Sequence, residues 1–148
     1  MPLTVAPELA ASELSAVLHL DHDLAQIGQV RRQARRTLCG WGLDAHADLA
    51  ELILSELVTN ALRYGSGPIT ARLSYHDGDL GVEVHDNGAG RPARQEVTSD
   101  DETGRGLVLL DGLLGLHGGV RGVKADHDGP GKTVYITITI TADPAISL

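Results

Sequence analysis

Phenylalanine is absent from this 148-residue chain, and one Trp and three Tyr are its only aromatic residues. A buried core therefore has to be aliphatic, built from Leu, Val, Ile and Ala. Cysteine is nearly absent too: Cys39 stands alone, which excludes an intrachain disulfide and fits a reducing compartment. Positive charge is scarce, with 12 Lys and Arg against 20 Asp and Glu and a net charge of −8. Nonspecific nucleic-acid binding relies on many cations meeting phosphates, so no direct nucleic-acid contact is expected. No apolar run approaches the roughly 18 residues of a membrane span. No charged-then-apolar segment opens the sequence, so a cytoplasmic protein without a membrane partner is the expectation. The seven His are scattered without metal-ligand spacing.

The length is that of one domain, enough to bury roughly 70% of the unfolded surface. Residues 1–12 read as a flexible arm, 13–141 as the domain and 142–148 as a tail. Glu13 to Leu20 alternates like a strand. Leu24, Ile27, Arg31, Ala34 and Leu38 recur at helical spacing, with Asp21 or Asp23 as N-cap and Gly40 and Gly42 as the stop. Asp44 or Asp48 opens a second helix that runs to Tyr64 and ends at Gly65-Ser66-Gly67-Pro68. The period then becomes two through Ile69, Ala71, Leu73 and Tyr75. His76-Asp77-Gly78-Asp79 reads as a hairpin turn, and Leu80, Val82 and Val84 lie on the return. Residues 87–104 read as a long polar loop and 106–116 as a buried helix. Val120 to Lys124 and Thr133 to Thr141 read as strands. Hairpins dominate this order, which points to an α+β fold. It should be a two-layer sandwich whose mixed, mostly antiparallel sheet carries helices on one face.

Three clusters break the apolar pattern. On the second helix Glu56, Asn60 and Arg63 fall at i, i+4 and i+7, one polar stripe beside an apolar face. Glu56 could act as a base and Arg63 could sit on a phosphate, while the Asn60 carbonyl is a hard ligand suited to Mg²⁺. A plain intrahelical ladder is the competing account. Asp86 lies two residues past Val84, so it shares the core-facing side of that strand, and Gly88 and Gly90 follow it. A carboxylate there needs donors, and the exocyclic amine of adenine is one. An Asx-turn is the alternative. Gly104-Arg105-Gly106 precedes an apolar helix, where bare N–H groups and the helix dipole attract phosphate. A flexible loop is the alternative there.

Taken together and in this order, the motifs resemble the GHKL superfamily, the histidine kinase-like ATPases. The N-box is Glu56-Leu57-Val58-Thr59-Asn60-Ala61-Leu62-Arg63-Tyr64, the G1 box Asp86-Asn87-Gly88-Ala89-Gly90 and the G2 box Gly104-Arg105-Gly106-Leu107. Gly131-Lys132-Thr133-Val134 matches the last element. The resemblance runs from about Leu14 to Ile140 and implies the Bergerat fold. It is nearest to stand-alone anti-sigma factor/serine kinase proteins of actinobacterial type, through Ser55-Glu56-Leu57-Val58-Thr59-Asn60-Ala61 and Trp41-Gly42-Leu43.

The resemblance implies ATP and Mg²⁺ as cofactors, with Glu56 as catalytic base and Asn60 on the metal. It places Asp86, Gly88, Gly90 and Thr133 around adenine and Gly104, Arg105 and Gly106 around the phosphates, with Arg63 and Leu107 counted in the same ATP site. A serine/threonine kinase of a STAS-domain anti-anti-sigma factor, also sequestering a sigma factor, is the implied activity, with a possible homodimer. A non-catalytic ATP-binding anti-sigma or adaptor module is the alternative. A detached histidine-kinase catalytic domain is a third reading, less favoured because no phosphoacceptor helix is evident. Arg31, Arg32, Arg35 and Arg36 form a basic stripe on the first helix. It is either a solvated face or a docking surface for an acidic partner.

Overall fold

The computed structural model describes residues 13–88, 112, 115 and 118–140. Its elements are β1 (Leu14–Leu20), α1 (Ile27–Gly40), α2 (Ala47–Tyr64), β2 (Ile69–His76), β3 (Asp79–Asp86), β4 (Val120–Ala125) and β5 (Lys132–Thr139). Single 3₁₀ turns at Leu24–Gln26 and Asp44–His46 lead into the two helices. The arm 1–12, the tail 142–148 and most of the expected loop lie outside the described residues. So does the expected helix 106–116, apart from Gly112 and Gly115.

The helix ends follow from local chemistry. Asp23 accepts a hydrogen bond from Ala25 N at 2.9 Å and so caps the turn into α1. At the other end Gly42 has φ +78°, Gly42 N donates to Cys39 O at 3.1 Å and Leu43 N donates to Leu38 O at 2.9 Å. This is the paired closure of a helix C-terminus around a left-handed residue, and it turns the chain toward α2. Between β2 and β3, Asp77 (φ +49°) and Gly78 (φ +89°) form the two-residue turn expected there. Positive φ at both centres matches the natural twist of a hairpin.

The sheet runs β1-β2-β3-β5-β4 and is antiparallel in every described pairing. The β1–β2 connection explains why even this non-hairpin link comes back antiparallel. Two helices lie between the strands, each reversing the chain, so β2 starts from the end of the sheet where β1 finished. Register then sorts the faces. Leu18 and Leu20, Ala71 and Leu73, Leu80, Val82 and Val84, and Ile136 and Ile138 are all buried on the side carrying the helices. α1 presents Val30, Ala34 and Leu38 at four-residue spacing, and α2 contributes Ile53, Leu54, Leu57 and Val58. Each fully buried Leu or Ile contributes about 1.5–3 kcal/mol relative to exposure. The aliphatic core expected from the absence of Phe is therefore present. Among the described residues no helix is long and apolar enough to cross a membrane.

α2 is held at both ends. Arg31 Nε donates to the buried Ser55 Oγ at 2.7 Å, and Arg35 pairs with both Asp48 and Glu51. At the C-terminal end the His22 ring lies 2.8 Å from Leu62 O through Nε2 and 3.1 Å from Gly67 O through Nδ1. These contacts fix the end of α2 beside the segment that follows β1.

Candidate functional site

Where α2 and β3 finish together, two of the expected residues, Asp86 and Gly88, come into contact. Asn87 N donates to Ser66 O at 2.9 Å, tying the segment after α2 to the segment after β3. Asp86 closes β3 on the helix-facing side and is only 1% exposed, so its inward placement agrees with the alternation of Val82 and Val84. Its Oδ1 accepts from Gly88 N at 2.7 Å and from Lys132 Nζ at 3.0 Å.

Glycine is required here for space. A Cβ on Gly65 would lie 2.4 Å from Asp86 Cγ, and one on Gly88 would lie 3.0 Å from Gly65 Cα. The carboxylate thus sits in a cradle of bare backbone. Gly65 escaped the motif reading; its position one residue past the α2 terminus is the signal that could have found it.

Lys132 was also missed. β5 pairs with β3 so that Lys132 stands opposite Asp86, while Thr133 stands opposite His85. Successive residues of a strand point to opposite faces. Thr133 is therefore on the outer face with His85, and Lys132 occupies the inner position beside Asp86. Lys132 is 6% exposed, and Nζ also donates to Gly88 O at 3.3 Å. The outer face carries its own polar pair, His85 Nε2 and Asp126 Oδ2 at 2.9 Å.

The stripe on α2 is graded from interior to solvent. Asn60 is 8% exposed, and its Oδ1 has no hydrogen-bond partner among the described residues. Buried amide oxygens are nearly always satisfied, so this orphan acceptor marks a position for an external donor or cation. Glu56 is half-buried one turn earlier. Burial pushes its carboxyl above the usual Glu range, and the charges of Arg63 and Arg31 partly oppose that rise. A raised carboxylate suits a base working near neutral pH. Arg63 is exposed one turn beyond Asn60.

The donor set fits a hard divalent cation: a carbonyl oxygen without a partner, at a carboxylate-bearing helix face. Asn60 is the residue that would hold Mg²⁺. Gly90, Gly104, Arg105, Gly106 and Leu107, expected at adenine and phosphates, lie outside the described residues.

The basic stripe of α1 divides. Arg31 and Arg35 are engaged with α2, as described above. Arg32 and Arg36 are exposed.

Comparison with known proteins agrees with this fold. The model of the histidine kinase-like ATPase domain matches residues 20–141. A sensor-like histidine kinase of Rhizobium meliloti (strain 1021) is 28% identical over 97% of this chain, and the chain spans 29% of that relative's length. Two solved structures superimpose. The RsbU and RsbW domains of a Mycobacterium tuberculosis protein give a TM-score of 0.51 at 25% identity, covering 84% of this chain and 32% of that one. The histidine kinase domain of a blue-light activated histidine kinase from Erythrobacter litoralis gives 0.52 at 24% identity, covering 78% of this chain and 60% of that one. The chain belongs to the histidine kinase-like ATPase domain family.

Proposed function

We propose that this protein binds ATP with Mg²⁺ and transfers the γ-phosphoryl group to a serine or threonine hydroxyl of a STAS-domain anti-anti-sigma partner. In the same reading it is also an anti-sigma factor, acting in the cytoplasm. The observation that carries the reading is the pair on α2: a half-buried Glu56 with an upward-shifted carboxyl, one turn before the orphan Asn60 Oδ1. A module that only bound nucleotide would need Asn60 and Asp86 but would have no use for a base at Glu56. The likeness to an RsbW-containing structure supports the subgroup.

In the proposed reaction the acceptor hydroxyl oxygen bonds to the γ-phosphorus as its proton passes to Glu56. The bond from γ-phosphorus to the β,γ-bridging oxygen breaks, and ADP leaves with that electron pair. Asn60 is the residue that would hold Mg²⁺, and the ion when bound would supply neutralisation of charge on the phosphate oxygens. Asp86 accepts a hydrogen bond from the adenine amine and sets the depth of the base. Thr133 lies on the outer face and contacts no base in this account. Arg63, Gly104, Arg105, Gly106 and Leu107 are assigned to the phosphates, and Gly88 and Gly90 to the wall of the adenine pocket.

A second reading is favoured by the sensor-like relative, of which this chain matches only 29%. In it the domain phosphorylates a histidine on another segment or another protein. Incubation with γ-labelled ATP and a co-encoded STAS protein separates the readings, because phosphoserine survives acid and phosphohistidine does not. Acid-stable label on the partner, lost in Glu56→Gln, is the expected result. Acid-labile label supports the second reading. ATP binding with no label on any partner leaves the non-catalytic adaptor.

A further inference from the structure

Lys132 is a charged side chain inside the proposed base pocket, and the motifs assign it no role. It is 6% exposed, its Nζ lies 3.0 Å from Asp86 Oδ1 and 3.3 Å from Gly88 O, and it stands directly opposite Asp86 in the β3–β5 ladder. Stability alone is a weak reason to keep such a pair. A buried ion pair is often no better than two apolar residues of the same size. Its position is informative: it lies on the inner face, at the end of the sheet, among Gly65 and Gly88, where a Cβ would collide.

We propose that Lys132 is a specificity-determining residue that reads the nucleobase together with Asp86, an inference that rests on the ATP-binding reading above. The two groups form a donor–acceptor edge. An ammonium has three N–H donors and no acceptor, and an ionised carboxylate only accepts. Two of the three ammonium protons are directed to Asp86 Oδ1 and Gly88 O. The third donates to a ring nitrogen of the base, and Asp86 Oδ2 accepts from the exocyclic amine beside it. A 6-aminopurine offers this pattern, an N–H donor flanked by a ring-nitrogen acceptor. The acceptor is N1 on one edge of the ring and N7 on the other. A purine without the amine leaves Asp86 unmatched, and one without the ring nitrogen leaves the ammonium unmatched.

The test is a set of binding isotherms on the full chain with ATP, 1-deaza-ATP and 7-deaza-ATP, which identify the nitrogen that is read. A hydrogen bond from a charged donor corresponds to about ten- to hundredfold in affinity. The wild type should bind one of the two analogues weaker than ATP by about that factor. Lys132→Met should bind ATP weaker by a similar factor and no longer distinguish ATP from that analogue. Lys132→Gln, which keeps an N–H donor, should retain part of the discrimination. The wild-type comparison does not depend on whether a variant folds. Equal affinity of the wild type for ATP and both deaza analogues overturns the role of Lys132 while leaving the nucleotide reading intact. Undiminished or tighter ATP binding by Lys132→Met overturns it too, since Lys132 would then only plug the pocket. A wild type that binds none of the three nucleotides removes the ATP reading and this inference with it.

Discussion

Breaking the Asp86–Lys132 pair from one side should destabilise the protein more than removing both partners. Both side chains are almost fully buried, at 1% and 6% exposure, and Asp86 Oδ1 accepts from Lys132 Nζ at 3.0 Å. In Lys132→Met the carboxylate keeps only its 2.7 Å bond from Gly88 N. In Asp86→Leu the ammonium keeps only Gly88 O, at 3.3 Å. Removing one partner of a buried pair costs about 3–5 kcal/mol because the other charge remains unmatched. At about 3 °C per kcal/mol for a chain of this size, each single variant should melt about 10–15 °C lower. The double variant Asp86→Leu/Lys132→Met replaces two charges by apolar residues of similar volume and should melt above either single variant, close to the wild type. Urea and thermal unfolding of the four proteins read the cycle directly, and ATP titration of the double variant separates fold from function. That variant should be folded yet bind ATP poorly. A double variant whose loss equals the sum of the two singles would mean that the two charges are not coupled.

Glu56→Gln should abolish phosphoryl transfer while leaving ATP affinity within about twofold of the wild type. It should also change stability in a defined direction. Burial holds the Glu56 carboxyl above its unfolded value, so its stabilising contribution is complete below the unfolded carboxylate range and is lost as pH rises through the raised folded value. Melts from pH 4 to 8 should therefore show Glu56→Gln gaining on the wild type as pH rises. Arg31→Met removes one of the two cations that oppose that shift, along with the donor to Ser55 Oγ. The acidic limb of the transfer–pH profile should move to higher pH, and Arg31→Lys should restore part of it. An unmoved limb would make Arg31 only a tie between the helices. Gly65→Ala forces a Cβ to within 2.4 Å of Asp86 Cγ unless the carboxylate moves. ATP affinity should fall by about ten- to hundredfold by titration, with far-ultraviolet circular dichroism unchanged.

Much of the fold was legible because hydrophobic period decides it. The alternation survives in the buried Ile69, Ala71 and Leu73 of β2 and Ile136 and Ile138 of β5, with Val134 half-buried against the same core. The same alternation placed Asp86 on the inner face. It also contained the position of Lys132, two residues before Val134, just as Asp86 is two residues after Val84. Motif spacing had drawn Thr133 into the pocket instead, and a one-residue difference in a strand exchanges the faces. The antiparallel pairing throughout the described strands was harder to read. It depends on the two helices of the β1–β2 connection returning the chain, which no local pattern records. The arginine stripe of α1 was half legible. Helical spacing grouped the four side chains, but only tertiary packing shows Arg31 at Ser55 and Arg35 at Asp48 and Glu51.

In the proposed function the Asn60 Oδ1, buried on α2 one turn beyond Glu56 and without a hydrogen-bond partner among the described residues, belongs to an ATP·Mg²⁺ site. Isothermal titration of ATP into the full chain, with and without Mg²⁺, for the wild type and Asn60→Ala, tests it most directly. Saturable binding by the wild type that weakens when Mg²⁺ is withdrawn, and a variant that binds weakly in both conditions with little response to the metal, are the expected results. No saturable ATP binding by the wild type, or an unchanged response to Mg²⁺ in Asn60→Ala, would contradict it.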